Sequence, residues 1–211
     1  MESEVVIVGA GVAGLAAAQA LARQGRRVTI VDARARVGGR VTTEWPAGWP
    51  VPVELGAEFI HGGNADLRRV LRRGRIATRP VTPHMWWWER DELRAVPDFW
   101  KRVRRVVDLI PASRRRWSFQ DFIRTTAGKM ADPDWRMISW YIGSFEAAPL
   151  EKLSAVALRT DHAGADTDDG KFVGRGTAVP EQLLADCPPE RVELRLQTAV
   201  EAIRWRPSRV D

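Results

Sequence analysis

The chain has 211 residues, 45% of them hydrophobic and 28% charged, with 17 glycines, 13 prolines and one cysteine. This is the make-up of an ordinary soluble globular protein, and it excludes disordered, collagen-like and disulfide-scaffold classes. The net charge is +6, and all but four of the 33 basic residues are arginine, clustered at 68–79, 102–105 and 114–116 on stretches that read as helices. No aromatic stacking pattern or reader motif accompanies these clusters, so they read as solvated faces and no nucleic-acid partner is expected.

Residues 5–22 form one membrane-like stretch, broken in polarity only by Gln19. Three glycines interrupt it and the flank before it, Glu2 and Glu4, is acidic, so neither a membrane span nor a signal peptide is expected. Within it, the β-branched run Val5–Val8 predicts a strand buried on both faces. The run leads into Gly9-Ala10-Gly11-Val12-Ala13-Gly14, then a helix over 15–23 stopped by Gly25, then a second strand over 27–31 that ends in Asp32. Strand, glycine turn, helix, strand and acid together give a glycine pattern its dinucleotide meaning. Gly9 permits the tight turn, Gly11 lets the backbone approach a pyrophosphate, and Gly14 lets the helix lie against the strand. N–H groups at the helix start face the phosphates, while Asp32 is placed to accept the ribose hydroxyls and to repel the 2′-phosphate of NADP. The implied ligand carries adenosine diphosphate with a free ribose, as NAD and FAD both do.

A second glycine turn follows, R-x-G-G-R-x-x-T, running from Arg36 through Gly38, Gly39 and Arg40 to Thr43. A helix dipole contributes about 0.3–1 kcal/mol to an anion, whereas a hydrogen bond from a charged donor contributes about 1.5–3 kcal/mol. Arg40 is therefore the stronger expected phosphate anchor. Two glycine turns on one pyrophosphate point to a permanently held cofactor.

The third glycine segment is Val53-Glu54-Leu55-Gly56-Ala57-Glu58-Phe59-Ile60-His61-Gly62. With the two turns it resembles the flavin-containing amine oxidase family, whose E-L-G-A-x-W-x-H-G segment it matches with Phe59 in place of the usual Trp. The resemblance implies an α/β fold: a Rossmann-like FAD-binding domain of glutathione-reductase type, interrupted by a substrate domain. It implies FAD contacts at Gly9, Gly11, Ala13, Gly14, Asp32, Ala33, Arg34, Gly39, Arg40, Gly56, Ala57, Glu58, Phe59 and Val200, with Gly56-Ala57 beside the flavin ring. Phe59 and His61 would wall the substrate cavity. No residue of this chain is assigned as catalytic, and no metal is expected. In the family an amine passes hydride equivalents from its α-carbon to flavin N5, the imine hydrolyses, and oxygen reoxidises the flavin. The implied partners are thus a small amine, polyamine or monoamine, and molecular oxygen. An aromatic cavity would keep that amine neutral by desolvation.

Beyond the third segment, Met85–Trp88, a turn at 89–92 and Leu93–Val96 predict a hairpin whose alternating tryptophans face a core and a neighbouring domain. Helices are predicted over 99–109, opened by Pro97-Asp98, over 119–127 with a Ser118/Asp121 capping box, and from Asp132-Pro133 to about Ile142. Asp161, His162, Asp166, Asp168 and Asp169 miss calcium-loop spacing, and His84 and His162 lack partners at zinc spacing. The likeness continues more thinly. Trp140–Ala148 resembles the family's Y-x-x-G-F-x-A-A with one residue inserted after Gly143, and Leu153-Ser154 resembles the I-S that follows. Lys171–Gly176 with Pro180–Leu184 resembles the F-x-V-x-G-G segment leading back to the cofactor domain. Residues 192–196 and 199–205 resemble its closing strands, whose V-x-x-I, here Val200 to Ile203, offers backbone hydrogen bonds to adenine.

The expected organisation is a cofactor domain in two pieces, 1–66 and 169–211, around a helical and hairpin substrate insert at 67–168. Family members are longer, and their second half carries a lysine on the N5 side, an aromatic pair flanking the amine and a closing G-x-x-x-S/T-G turn. None of these is found up to Asp211, so the expectation is an N-terminal half whose C-terminal half is missing, either a fragment or one part of a split enzyme completed by a C-terminal chain. An L-amino-acid oxidase or a protoporphyrinogen-oxidase-like flavoenzyme stays open. So does a non-catalytic nucleotide-binding or interaction module with a basic surface. Cys187, standing alone, excludes an internal disulfide and permits a reducing compartment, so a cytoplasmic location is expected.

Overall fold

The computed structural model describes residues 4–60, 64–80, 84–112, 117–126, 135–163, 170–172, 175–207 and 209–210. The chain divides into two units, Met1–Val81 with Thr167–Asp211, and Thr82–Asp166. The first unit opens with β1 (Val5–Val8), α1 (Val12–Arg23) and β2 (Val28–Val31). β1 and β2 pair in parallel, from Val5 opposite Val28 to Val8 opposite Val31. The helix begins earlier than residue 15 because the glycine turn is already helical, with the Leu15 N–H donating to the Gly11 carbonyl at 2.9 Å.

The chain then makes β3 (Thr43–Glu44) and β4 (Val53–Glu54), an antiparallel pair, followed by β5 (Phe59–Ile60), α2 (Ala65–Arg73) and β6 (Thr78–Pro80). Asn64 caps α2 by accepting the Leu67 N–H at 2.9 Å, an arrangement that stabilises by about 1 kcal/mol.

In the second unit β7 (Met85–Glu89) and β8 (Glu92–Val96) form the expected hairpin, and α3 (Phe99–Asp108), α4 (Phe119–Thr126), α5 (Trp135–Phe145) and α6 (Ala155–Ala163) follow. Its core joins Phe99, Val103, Phe119, Phe122, Ile138 and Leu158. Trp87 packs against this core while Trp86 and Trp88, on the other face of the strand, are exposed. The Ser118/Asp121 box forms as predicted, with the Asp121 N–H donating to Ser118 Oγ at 3.1 Å and the Ser118 N–H to Asp121 Oδ2 at 3.3 Å. Asp98 does not cap α3. Its backbone is left-handed at φ 57°, and its carboxylate pairs with Lys101 Nζ at 2.8 Å instead.

The chain returns to the first unit through β9 (Gly170–Phe172), which pairs antiparallel with both β5 and β6. Then come α7 (Ala178–Ala185), β10 (Val192–Arg195) and a closing antiparallel pair, β11 (Trp205–Arg206) and β12 (Arg209–Val210). β10 lies parallel to β2, so the sheet order is β1-β2-β10. Ala10, Leu15, Ile30, Leu71, Val179 and Leu183 form the core, each fully buried large side chain such as Leu15 contributing about 1.5–3 kcal/mol.

Three expectations are corrected. The boundary falls at 81/82 rather than 66/67, because Leu71 of α2 sits in the first unit's core and β6 is tied there by β9. Residues 199–204 form no strand, since no neighbouring strand pairs with them among the described residues. β2 is buried at all four positions, but β1 is not doubly covered: Val6 is 60% and Val8 57% exposed. β1 lies at the sheet edge, and one of its faces is bare among the described residues. No described helix is long and apolar enough to cross a membrane.

Candidate cofactor site

The first turn is tight. Gly9 sits at φ 103°, where a side chain is strained, and donates its N–H to the Val31 carbonyl at 2.8 Å. A Cβ on Gly14 would stand 2.0 Å from the Gly9 carbonyl oxygen, so this glycine sets how closely α1 meets β1. Gly11 differs. The nearest atom to a Cβ there is the Gly39 Cα at 3.9 Å, and its glycine leaves open space rather than relieving a clash.

Asp32 points into the mouth of this turn. Its Oδ2 accepts the Ala10 N–H at 2.8 Å and its Oδ1 accepts the Arg34 N–H at 2.8 Å. The Arg34 amide above all, helped by the Ala10 amide and by the charges of Arg34 and Arg36, holds the carboxyl below the ordinary carboxylate range, with burial opposing in part. The acid therefore stays ionised and keeps lone pairs for hydroxyl donors. α1 starts beside it at Gly11 with no side-chain cap and no acid in its first turn, so the positive end of the helix is free to meet an anion.

The second glycine turn lies on the first. Gly38 donates its N–H to the Ala10 carbonyl at 2.9 Å, and Gly11 and Gly38 form a parallel bridge. Arg36 donates to the carbonyls of Val37, Gly39 and Val41, and the Arg34 guanidinium donates to that of Gly39 at 3.1 Å. These two arginines brace the turn itself. Arg40 is exposed and, alone of the three, has no hydrogen bond or ion pair for its side chain among the described residues.

The third segment is stitched to that arginine's backbone. Leu55 donates its N–H to the Thr42 carbonyl at 2.8 Å and Ala57 to the Arg40 carbonyl at 3.1 Å. A Cβ on Gly56 would lie 1.8 Å from the same Arg40 oxygen. Glu58 is half-buried, and Phe59 is 45% exposed on β5. His61 lies outside the described residues, while Ala13 and Ala33 are exposed. On the other side, Thr198 donates its N–H to the Asp32 carbonyl at 2.8 Å, so the segment carrying exposed Val200 leaves from beside Asp32.

Sequence reasoning named Arg36, Thr43 and Glu54 only as members of the glycine motifs and missed that they brace these turns, and it missed Asp186 altogether. Asp186 gathers Gln19 of α1 at 3.2 Å, Gln182 of α7 at 2.8 Å and Arg73 of α2 at 3.1 Å. No spacing rule points to such partners. Glu54 was inside a recognised motif, but its partner Gly176 lies more than a hundred positions away. Among the described residues no group of three or more His, Cys, Asp or Glu side chains could hold a metal. An open helix end, an ionised acid beside it and an arginine without a partner among the described residues together suit an adenosine diphosphate moiety.

Comparison with known proteins agrees. Residues 7–73 match the family model described as an NAD(P)-binding Rossmann-like domain. Over 66 residues the chain is 53% identical to lysine-specific histone demethylase 1 homolog 3 of Arabidopsis thaliana, covering 31% of this chain and 4% of that protein. It is 37% identical over 131 residues to the putative flavin-containing monoamine oxidase AofH of Mycobacterium tuberculosis, covering 57% of this chain and 26% of that protein. In sequence, then, the chain is similar to proteins named as a histone demethylase homolog and as a flavin-containing monoamine oxidase, over part of its length and theirs. In fold it superposes on a putrescine oxidase bound to putrescine with a TM-score of 0.71 at 22% identity, covering 100% of this chain and 54% of that one. The chain thus spans about half the length of a solved neighbour and about a quarter of the monoamine oxidase.

Proposed function

We propose that this chain is the FAD-binding part of an amine-oxidising flavoenzyme, with oxygen as the electron acceptor. The observation that carries the reading is the joining of the three glycine segments into one surface: Asp32 faces the first turn, Gly38 is bonded to Ala10, and Gly56-Ala57 is bonded to Arg40. The start of α1 and Arg40 would hold the pyrophosphate, and Asp32 the ribose hydroxyls. Gly56 and Ala57 would lie against the isoalloxazine, with Phe59 and His61 on the cavity side. Bound FAD supplies the acceptor for the electron pair of the amine. The task of this chain is to place it, exclude water and keep an aromatic wall where a neutral amine is favoured.

The bare face of β1 supports a second part of the reading, that further polypeptide completes the enzyme. A parallel strand of four β-branched residues is built for cover on both faces, yet Val6 and Val8 stand open. The occupant would be polypeptide equivalent to the remainder of the solved neighbours, adding a strand and a layer there. Incubating the purified chain with FAD, then gel-filtering it, should leave flavin absorbance on the protein. Adding the completing polypeptide should bring peroxide release with a small diamine such as putrescine. A chain that retains no flavin under either condition refutes the proposal.

A further inference from the structure

We propose that Glu54, acting with Thr43, is a positioning residue: it locks the start of α7 against the second glycine turn and thereby holds the cradle for the cofactor's pyrophosphate. The inference rests on the cofactor reading above. Glu54 ends β4, half-buried, and meets the second glycine segment at its last residue, Thr43. Its Oε1 accepts the Gly176 N–H at 2.8 Å, and the Thr43 hydroxyl donates to the carboxylate at 2.9 Å. The Thr43 Oγ1 in turn accepts the Thr177 N–H at 3.1 Å. One carboxylate and one hydroxyl from the β3–β4 pair thus take the two amides that lead into α7. A Cβ on Gly176 would stand 2.6 Å from Glu54 Oε2, so a larger residue there would push that carboxylate oxygen aside.

What this clamp controls is the placement of α7. Pro180, in the helix's first turn, lies 3.2 Å from where a Gly38 Cβ would be, so that turn of α7 backs the second glycine turn. Gly38 passes the constraint to the first turn through its bond to Ala10. A carboxylate at the positive end of a helix is favourable, and charge-assisted bonds to N–H groups are the stronger kind. Removing the carboxylate leaves the Gly176 amide and the Thr43 hydroxyl without their acceptor, which loosens the contact on which Gly38 rests.

The test compares Glu54→Gln, which keeps an acceptor, with Glu54→Ala, which does not, in the full chain. Amide hydrogen exchange needs no cofactor. Glu54→Ala should speed exchange at Gly38 and Val41 by about tenfold while the amides of β2 keep their rates, and Glu54→Gln should stay near wild type. FAD titration should show affinity about tenfold weaker for Glu54→Ala and nearly unchanged for Glu54→Gln. Unchanged exchange at Gly38 in Glu54→Ala, or equal acceleration across β2, overturns the proposal. So does equal FAD affinity in Glu54→Ala and wild type. If wild type itself binds no FAD, the cofactor reading fails and the exchange result alone decides the role of Glu54. Should Glu54→Ala not fold, Thr43→Val, which removes the hydroxyl alone, is read in the same way.

Discussion

Two helices begin beside the second glycine turn, and their positive ends are treated in opposite ways. At α7, whose own N-cap Thr177 makes no side-chain cap, the two amides leading into the helix, of Gly176 and Thr177, are taken from outside by Glu54 and Thr43. At α1 the start is Gly11, with no side-chain cap and no acid in the first turn. A side-chain cap stabilises a helix by about 1 kcal/mol, so the bare end of α1 costs the free chain that much and leaves its donors for a ligand. The filled end serves the architecture, and in the proposed function the empty end serves binding. The glycines divide the same way. Gly14 and Gly56 relieve contacts that a methyl group would make impossible, and Gly11 relieves none.

That division predicts the largest effect for the contact glycines. Gly14→Ala and Gly56→Ala should each destabilise the chain by about 3 kcal/mol or more, because the added atom meets backbone that cannot give way. Urea unfolding followed by circular dichroism measures this, and wild-type midpoints would break the comparison. Gly11→Ala should behave differently, with stability within about 0.5 kcal/mol of wild type and FAD affinity reduced by about tenfold or more. Arg40→Ala should resemble Gly11→Ala, since its side chain has no partner among the described residues. A loss of about 1.5–3 kcal/mol in FAD binding, with a shallower salt dependence and an unchanged melting temperature, is the expected pattern.

The readable part of this site was the part made by neighbours in sequence. The order strand, glycine turn, helix, strand, acid specifies its own geometry within residues 5–32, and each element appeared there. The capping box at Ser118 was readable for the same reason. Asp98 shows the limit, since an acid before a helix can either cap it or pair with a lysine one turn on, and the left-handed backbone selects the second. Glu54, Gly176 and Asp186 could not be read because their partners are set by how β3, β4 and α7 pack. α6 was also missed, its nine residues AVALRTDHA giving no clear apolar stripe, yet Ala155 and Leu158 are buried in the core.

Acid pH offers a smaller, graded effect at the binding end. The carboxyl of Asp32 is held below its ordinary range by the Arg34 and Ala10 amides, so its stabilisation is fully present above the unfolded value of about 4. As pH falls through the lowered folded value that contribution disappears, because the folded chain takes up its proton later than the unfolded chain does. Asp32→Asn should therefore be less stable than wild type near neutrality, and the gap should narrow as pH drops below about 4. Urea midpoints across that range check it. A gap that widens toward acid would mean that Asp32 is not held by those two amides.

The smallest expected change lies on β1, where open and closed meet within one sheet. β2 is buried at every position, whereas Val6 and Val8 face outward from its neighbour. Replacing both with threonine keeps the β-branched shape and adds a hydroxyl that an exposed face hydrates at little cost, so the isolated chain should change by no more than about 0.5 kcal/mol. If that face receives a further layer in the complete enzyme, the same hydroxyls are then buried without partners, and association with the completing polypeptide should weaken by about 1–3 kcal/mol for each. The informative quantity is the difference between the two measurements. A substantial loss in the isolated chain would show that this chain already covers the face, and unchanged association would show that nothing docks there.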